Sequence, residues 1–426
     1  MGETRAKITL TDGTQAEFTI EDKKYWLQEP NFAGVITEAD LQTISGSIPK
    51  DTISVTLEMT HIGRGVPSSK WEARKADWGF AYRRIHNLSG LTLPPSVTNL
   101  HLENNGLQDV STLNVPPTLK TLALRRDQIN ASTLKLPDSL SELELYDCSL
   151  KNVSPLKLPK DLKSLRLDGN ELADLSQLNL PRGLQQLGLS SNKLTNVNNL
   201  VLPQTLEELY LSSNQLTDIS QLKLSDSLRK LDLGYNRLLD INKLKLPPNL
   251  EYLNLERNGL SDVSIANLSF PESLTELDLR GNYLSNLKDI KFPNGLTKLN
   301  LSSNQITDIR SLGLEDPKKF PNLQILSLSD TLNQESIEYL RNLERDGLQI
   351  KLTYDNFTTH KSPPEANRRV RDPKIIDLKQ AVDEALGGKE PFITRQTLEQ
   401  LKQKMTEVES ALPQPNANAG KVLQKQ

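Results

Sequence analysis

A single cysteine, Cys148, in 426 residues excludes an internal disulfide framework and any site built from several thiolates. Histidine is equally scarce: His61, His86, His101 and His360 are scattered, and none belongs to a His-Glu-x-x-His or comparable motif. A nucleophile needs a base within hydrogen-bond reach, and this chain offers no recognisable pairing of the two. Phosphate-cradling Gly-x-x-x-x-Gly-Lys-Ser/Thr loops and dinucleotide fingerprints are missing as well. An excess of either charge is also lacking, with 51 basic against 54 acidic residues, so the overall field advertises neither a nucleic acid nor a membrane. No apolar run approaches the roughly 20 residues that cross a bilayer, and the stretch 1–10 carries no apolar core of a secretory leader. The expectation is a cytoplasmic protein without enzymatic activity, cofactor or metal.

Hydrophobic residues make up 36% of the chain, less than a large globule requires and suited to a thin stacked body with a narrow core. The pattern Leu-x-Leu-x-x-Asn-x-Leu recurs with its asparagine-type position at Asn105, Asp127, Cys148, Asn170, Asn192, Asn214, Asn236, Asn258, Asn282 and Asn304. The steps are 22, 21, 22, 22, 22, 22, 22, 24 and 22 residues. A period of this length marks a solenoid. Within Leu209-Tyr-Leu211 the leucines alternate with polar-facing residues, as in a short strand with one buried face, and stacking pairs these strands in parallel. The asparagine amide then bonds backbone groups that the following turn leaves unpaired, forming a ladder up the stack. Asp127 imitates that amide in part and Cys148 only weakly, so the ladder is expected to weaken there. The Leu-Pro step that closes each unit, as at Leu202-Pro203, ends the outer segment before the next strand.

The same register extends outward to degenerate units at Val55/Leu57/Thr60 and Trp78/Phe80/Arg83, and beyond the last clear repeat to Leu326/Leu328 and Ile350/Leu352. Between the last two, Ile337, Leu340 and Leu343 mark one face of a helix over 335–345 that Gly347 stops. Alternation on either side of Asp12-Gly13 predicts a hairpin over Ala6–Ile20. The chain therefore divides into an N-terminal cap at 1–47, a solenoid at 48–357, an Arg-containing linker at 358–373, a helical hairpin or cap at 374–413 and a disordered tail at 414–426. The helical part rests on Pro373 at a first helical position and on the stripe Leu398, Leu401, Met405, Val408 and Leu412.

The segments Leu-Ser-Ser-Asn-Gln-Leu-Thr-Asp-Ile-Ser (211–220) and Leu-Ser-Ser-Asn-Gln-Ile-Thr-Asp-Ile-Arg (301–310) resemble the 22-residue class of leucine-rich repeats. Bacterial internalins and a regulatory subunit of a eukaryotic protein phosphatase belong to that class. The resemblance implies an α/β leucine-rich-repeat solenoid: an arc or horseshoe with parallel strands on its concave face, a β-rich N-terminal cap, C-terminal helices, and a role in protein recognition. The frequent Leu-Pro step also resembles repeats of some bacterial effectors. Those with ubiquitin-ligase activity carry a separate domain with a nucleophilic cysteine, whereas the only cysteine here sits inside a repeat.

In this register the residues facing the concavity form two columns. Two neighbourhoods are rich in tyrosine and arginine, the residues enriched at binding hot spots. One gathers Arg125, Arg126, Glu142, Glu144, Tyr146, Asp147 and Arg166; the other gathers Tyr210, Asp232, Tyr235, Tyr252, Glu256, Asp278 and Arg280. Opposite charges on adjacent strands also pair simply with one another, so the same residues are consistent with a solvated face. The expected partner is a protein, with no nucleic acid and no membrane, and the chain is expected to be monomeric unless its C-terminal helix pairs. Two other readings stay open at this level: an effector that sequesters a host protein, and a structural repeat protein that associates with itself.

Overall fold

The computed structural model describes residues 4–10, 15–29, 35–59, 84–85, 88–316, 318–329, 331–343 and 347–353. The Asp12-Gly13 turn, Trp71, Trp78, the linker at 358–373, the segment 374–413 and the tail lie outside the described residues. Among the described residues sixteen strands form one sheet whose order follows the sequence, and a separate two-stranded sheet lies near the N-terminus. From Asn99–Glu103 through Lys298–Asn300 each strand pairs in parallel with the next in register, leucine beside leucine: Leu165 with Leu187, Leu187 with Leu209, Leu209 with Leu231. The fold is thus the leucine-rich-repeat solenoid that the spacing implies.

Each unit closes on two devices. Its inward leucines fill a continuous core; Leu165, Leu187, Leu209, Leu231 and Leu253 are all fully buried. The Leu-Pro step opens a tight turn: the Pro203 carbonyl accepts from Leu206 N at 3.1 Å, and Pro159, Pro181 and Pro271 repeat the geometry. Proline suits the site because its fixed φ presets the turn and its missing N–H is not needed there. Where Ser225 replaces proline, its carbonyl receives Leu228 N at 3.0 Å and the turn survives. The one 24-residue step, from Asn258 to Asn282, is absorbed by a one-turn helix, Asp262–Ile265, on the side away from the long sheet.

The asparagine ladder is built as the sequence implies. Asn192 Nδ2 donates to Leu167 O and Leu189 O at 3.0 Å each, and its Oδ1 accepts Leu172 N at 3.0 Å. Asn170, Asn214, Asn236, Asn258, Asn282 and Asn304 repeat the arrangement from one unit to the next. At the substituted positions it degrades. Asp127 Oδ1 accepts Leu107 N at 3.0 Å, but its buried Oδ2 has no hydrogen-bond partner among the described residues. Cys148 Sγ reaches Leu124 O at 3.1 Å in place of an amide.

At the N-terminus the structure agrees with the expected hairpin and adds to it. Thr4–Thr9 pairs antiparallel with Gln15–Glu21, and Asp22 and Lys23, both at positive φ, turn the chain into a third strand, Lys24–Glu29. That strand pairs in parallel with Ser54–Met59, and the crossover between them carries a helix, Glu38–Ser47, that buries Leu41 and Ile44. Thr37 and Asp40 cap this helix reciprocally, Asp40 N donating to Thr37 Oγ1 at 3.1 Å and Thr37 N to Asp40 Oδ2 at 2.8 Å.

One expected unit is corrected. Ser54–Met59 pairs directly with Asn99–Glu103, Val55 opposite Leu100 and Leu57 opposite Leu102, so no Trp78/Phe80 strand stands between them. The neighbouring Arg84–Ile85 instead pairs with Val35–Ile36 in the two-stranded sheet. At the other end, Ile325–Ser329 and Gln349–Thr353 continue the sheet, with a helix, Gln334–Asn342, between them. It is capped by Asn333, whose side chain accepts Ser336 N at 2.8 Å.

Candidate functional site

Because successive strand residues point to opposite sides, burying the leucines turns the residues between them onto the other face of the sheet. The candidate site consists of these residues and of the one that precedes each ladder position. In every clear unit, the one at Cys148 included, that preceding residue is left-handed. Gly169 and Gly281 occupy it without a steric cost, and Ser191, Ser213 and Ser303 do so with a small side chain. Arg126, Tyr235 and Arg257 place long side chains there at φ 57°, 54° and 50°. Left-handed backbone costs an ordinary residue roughly 1–2 kcal/mol, so these three side chains are retained at the expense of stability.

The first neighbourhood is a chain of ion pairs across strands. Arg126 Nη1 lies 3.1 Å from Glu103 Oε1, and Arg125 Nε donates to Glu144 Oε2 at 2.9 Å. Tyr146 is exposed beside them. Burial, reinforced by Arg125, holds His101 below the usual imidazole range and keeps it neutral. Arg166 departs from the expected grouping. Beside Glu144 on the neighbouring strand, it donates to Asp168 Oδ2 at 2.7 Å and stacks its guanidinium over the Tyr210 ring, 5.4 Å from the centroid. Gly188 makes this possible, because a Cβ there would lie 2.3 Å from Asp168 Oδ2 and 2.6 Å from Arg166 Nε. The stack joins the two neighbourhoods into one surface.

Tyr210 is held at its other end. Its hydroxyl donates to Glu208 at 2.7 Å, and Glu208 also receives Gln186 Nε2 at 2.6 Å and Lys230 Nζ at 2.7 Å. Burial, helped by Glu208, pushes the Tyr210 phenol up to about 12, so it stays a neutral donor. Further along, Asn254 Nδ2 donates to Asp232 Oδ1 and Asn300 Nδ2 to Asp278 Oδ2, each at 2.9 Å. Burial raises both carboxyls above their ordinary range. Between them Tyr252 is pushed up to about 12 by burial and then by the surrounding carboxylates. Tyr235 leans outward: its hydroxyl donates to Glu256 at 2.9 Å, Arg257 lies over its ring at 5.5 Å, and Arg280 Nε sits 3.8 Å from Glu256.

The register therefore places all the expected residues on one surface, while sequence reasoning missed the parts that fix their orientation. Gly188, Glu208, Lys230 and Arg257 were not singled out. The opposite charges of Lys230 and Glu208 on neighbouring strands were the available signal for two of them. Chemically the surface holds neutral tyrosines, paired arginines and partly buried carboxyls, with no His, Cys, Asp and Glu cluster arranged to hold a metal among the described residues.

Comparison with known proteins agrees with this architecture. A family model described as leucine rich repeat matches residues 226–284, and a second, described as leucine rich repeats in two copies, matches 204–246 and 294–342. Among solved structures, an internalin from Listeria monocytogenes is 25% identical at a TM-score of 0.50, over 73% of this chain and 87% of that one. An internalin C2 from the same organism is 31% identical at a TM-score of 0.35, over 40% of this chain and 72% of that one. The TLR13–ssRNA13 complex is 19% identical at a TM-score of 0.49, over 78% of this chain and 42% of that one. A search of curated proteins returned no match. The in-register leucine strands, the asparagine ladder and the matched repeats show a leucine-rich-repeat solenoid, and leucine-rich-repeat domains generally mediate protein–protein interaction.

Proposed function

We propose that the chain is a non-enzymatic scaffold that binds a protein partner on the concave face of its repeat array, around Arg166, Tyr210, Asp232, Tyr252, Asp278 and the Tyr235–Glu256–Arg280 group. The observation that carries this reading is the stack of Arg166 on Tyr210, with Asp168 and Glu208 fixing the two ends. Aromatic and guanidinium groups already immobilised lose little side-chain entropy on binding, which is what makes a surface residue an effective anchor. A protein suits the face better than a nucleic acid does. Glu144, Asp168, Glu208, Asp232, Glu256 and Asp278 distribute carboxylates along it, and a phosphate backbone demands the opposite sign. A cytoplasmic setting, the protein's own or a host's, fits a chain whose one thiol is buried and unpaired.

The test is affinity capture with the full chain as bait, beside a Tyr210→Ala, Asp232→Ala, Tyr252→Ala variant. The expected result is one stoichiometric protein recovered by the parent chain and lost by the variant, whose circular dichroism is unchanged. Equal recovery by both baits overturns the concave-face assignment. Recovery of the chain's own copies alone, through the same face, replaces the reading with self-association.

A further inference from the structure

Two tyrosines of the candidate surface carry a guanidinium supplied by the chain itself, and each time a carboxylate stands beside the arginine. Arg166 lies over the Tyr210 ring and donates to Asp168 Oδ2 at 2.7 Å. Arg257 lies over the Tyr235 ring, with its Nε 3.7 Å from Glu256 Oε1. A guanidinium in such a place gains from the negative face of the ring and from the charge of the carboxylate together.

Tyr252 has carboxylates around it but no arginine of this chain. Asp232 and Asp278 stand opposite Asn254 on the two adjoining strands, roughly 10 Å apart at the backbone. Tyr252 and Asn254, two residues apart on the strand between, point to the same side of the sheet. The groups bonded to the two carboxyls are neutral: Asp232 accepts Gly234 N and Asn254 Nδ2, and Asp278 accepts Arg280 N and Asn300 Nδ2. Among the described residues no basic side chain forms an ion pair with either, because those around them are committed elsewhere. Lys230 Nζ lies 2.7 Å from Glu208, Lys298 Nζ lies 2.6 Å from Glu276, and Arg257 and Arg280 both face Glu256. Burial holds Asp278 above the ordinary carboxyl range, and the charge of Arg280 offsets less of that than Glu256 adds. The half-buried centre of this sheet face therefore keeps two carboxylates with no counter-charge beside an aromatic ring.

We propose that the protein partner seats an arginine between Asp232 and Asp278, with its guanidinium bonded to both carboxylates and stacked on the Tyr252 ring. The inference rests on the concave-face reading and names the side-chain chemistry that this face selects. Arginine suits the arrangement better than lysine, because its planar fork donates from opposite edges while its flat face packs on a ring. The two carboxylates also select against an acidic segment, which would meet like charge in the same place.

The test uses the full chain labelled with carbon-13 in its tyrosine rings, with the Tyr252 resonances identified by their loss in Tyr252→Phe. The probes are the Nα-acetyl amides of arginine, lysine and citrulline, the last keeping the shape of arginine without its charge. Arginine is expected to shift the Tyr252 resonances saturably, at a concentration about tenfold lower than citrulline requires, with lysine between them. Asp232→Asn with Asp278→Asn removes that difference and leaves the Tyr210 and Tyr235 resonances in place, since asparagine already stands in the same column at Asn254 and Asn300. An equal response to arginine and citrulline, or an arginine response that survives the double asparagine variant, overturns the proposal. If that variant still captures the partner that the Tyr210/Asp232/Tyr252 variant loses, the arginine seat falls and the concave-face reading stands. Equal capture by the parent and the Tyr210/Asp232/Tyr252 variant, with the arginine response intact, discards the concave-face reading while the seat remains.

Discussion

Asp127 occupies a ladder position that elsewhere belongs to an asparagine, and the substitution couples stability to pH. In the intact 22-residue units one amide atom accepts from the neighbouring turn and the other donates to carbonyls 25 and 3 residues earlier, as Asn192 does to Leu167 O and Leu189 O. By the same offsets Asp127 Oδ2 faces the carbonyls of Leu102 and Leu124, and an ionised oxygen there has nothing to donate. The side chain is 1% exposed and Oδ2 has no partner among the described residues. Burial, with Glu103 adding a smaller push, drives its carboxyl from 3.8 to about 7 against the pull of three backbone N–H groups. The folded chain therefore holds a proton that the unfolded chain releases between those two values. Stability falls as pH rises from about 4 to about 7 and is level above that. At 1.36 kcal/mol per pH unit the loss is on the order of 2 kcal/mol near pH 5 and approaches about 4 kcal/mol above pH 8. Asp127→Asn supplies the missing donor and removes the titration. Urea denaturation followed by circular dichroism is expected to show the variant more stable than the parent, with an advantage roughly 2–3 kcal/mol larger at about pH 8.5 than at about pH 5. An advantage independent of pH, or a variant weaker than the parent in alkali, would refute the assignment of a neutral carboxyl to this rung.

Asn214→Ala removes one of the two amide donors at each of the Leu189 and Leu211 carbonyls and leaves Leu194 N without its acceptor, all inside the core, and is expected to cost about 1–3 kcal/mol in the same urea assay. A loss within about 0.5 kcal/mol would mean that the ladder is not an energetic element. Burial pushes the Cys148 thiol up to about 12, so it should resist a thiol-specific reagent at neutral pH and react fully once urea unfolds the chain. Prompt labelling of the folded protein would place the thiol on the surface.

The period was legible because it is redundant. Ten ladder positions report the same spacing, and a unit as irregular as the 24-residue one still fits once its two extra residues are coiled outward. The reading at Trp78 rested on a single apolar pair with no repetition behind it, and Val55 and Leu57 pair instead with Leu100 and Leu102. The helix at Glu38–Ser47 was overlooked although Thr37-x-x-Asp40 is a capping box, because its buried residues are few and its pattern is shorter than the repeat that dominated the reading.

The candidate site divides along the same line. Which residues face the binding surface follows from strand alternation, a property of the backbone that a correct register transfers to every unit at once. How those residues pair does not follow, because long side chains choose between neighbours on both sides, and the deciding feature is often a residue with no side chain. Arg166 had Glu144 on one side and Tyr210 on the other; Gly188 opens the second route, and the guanidinium takes it, held there by Asp168. Gly188 stands where the repeat consensus accepts nearly any residue, so the period passes over it. In a solenoid whose leucines are nearly interchangeable, the individuality of the surface resides in such gaps, and substituting them changes recognition while leaving the stack intact.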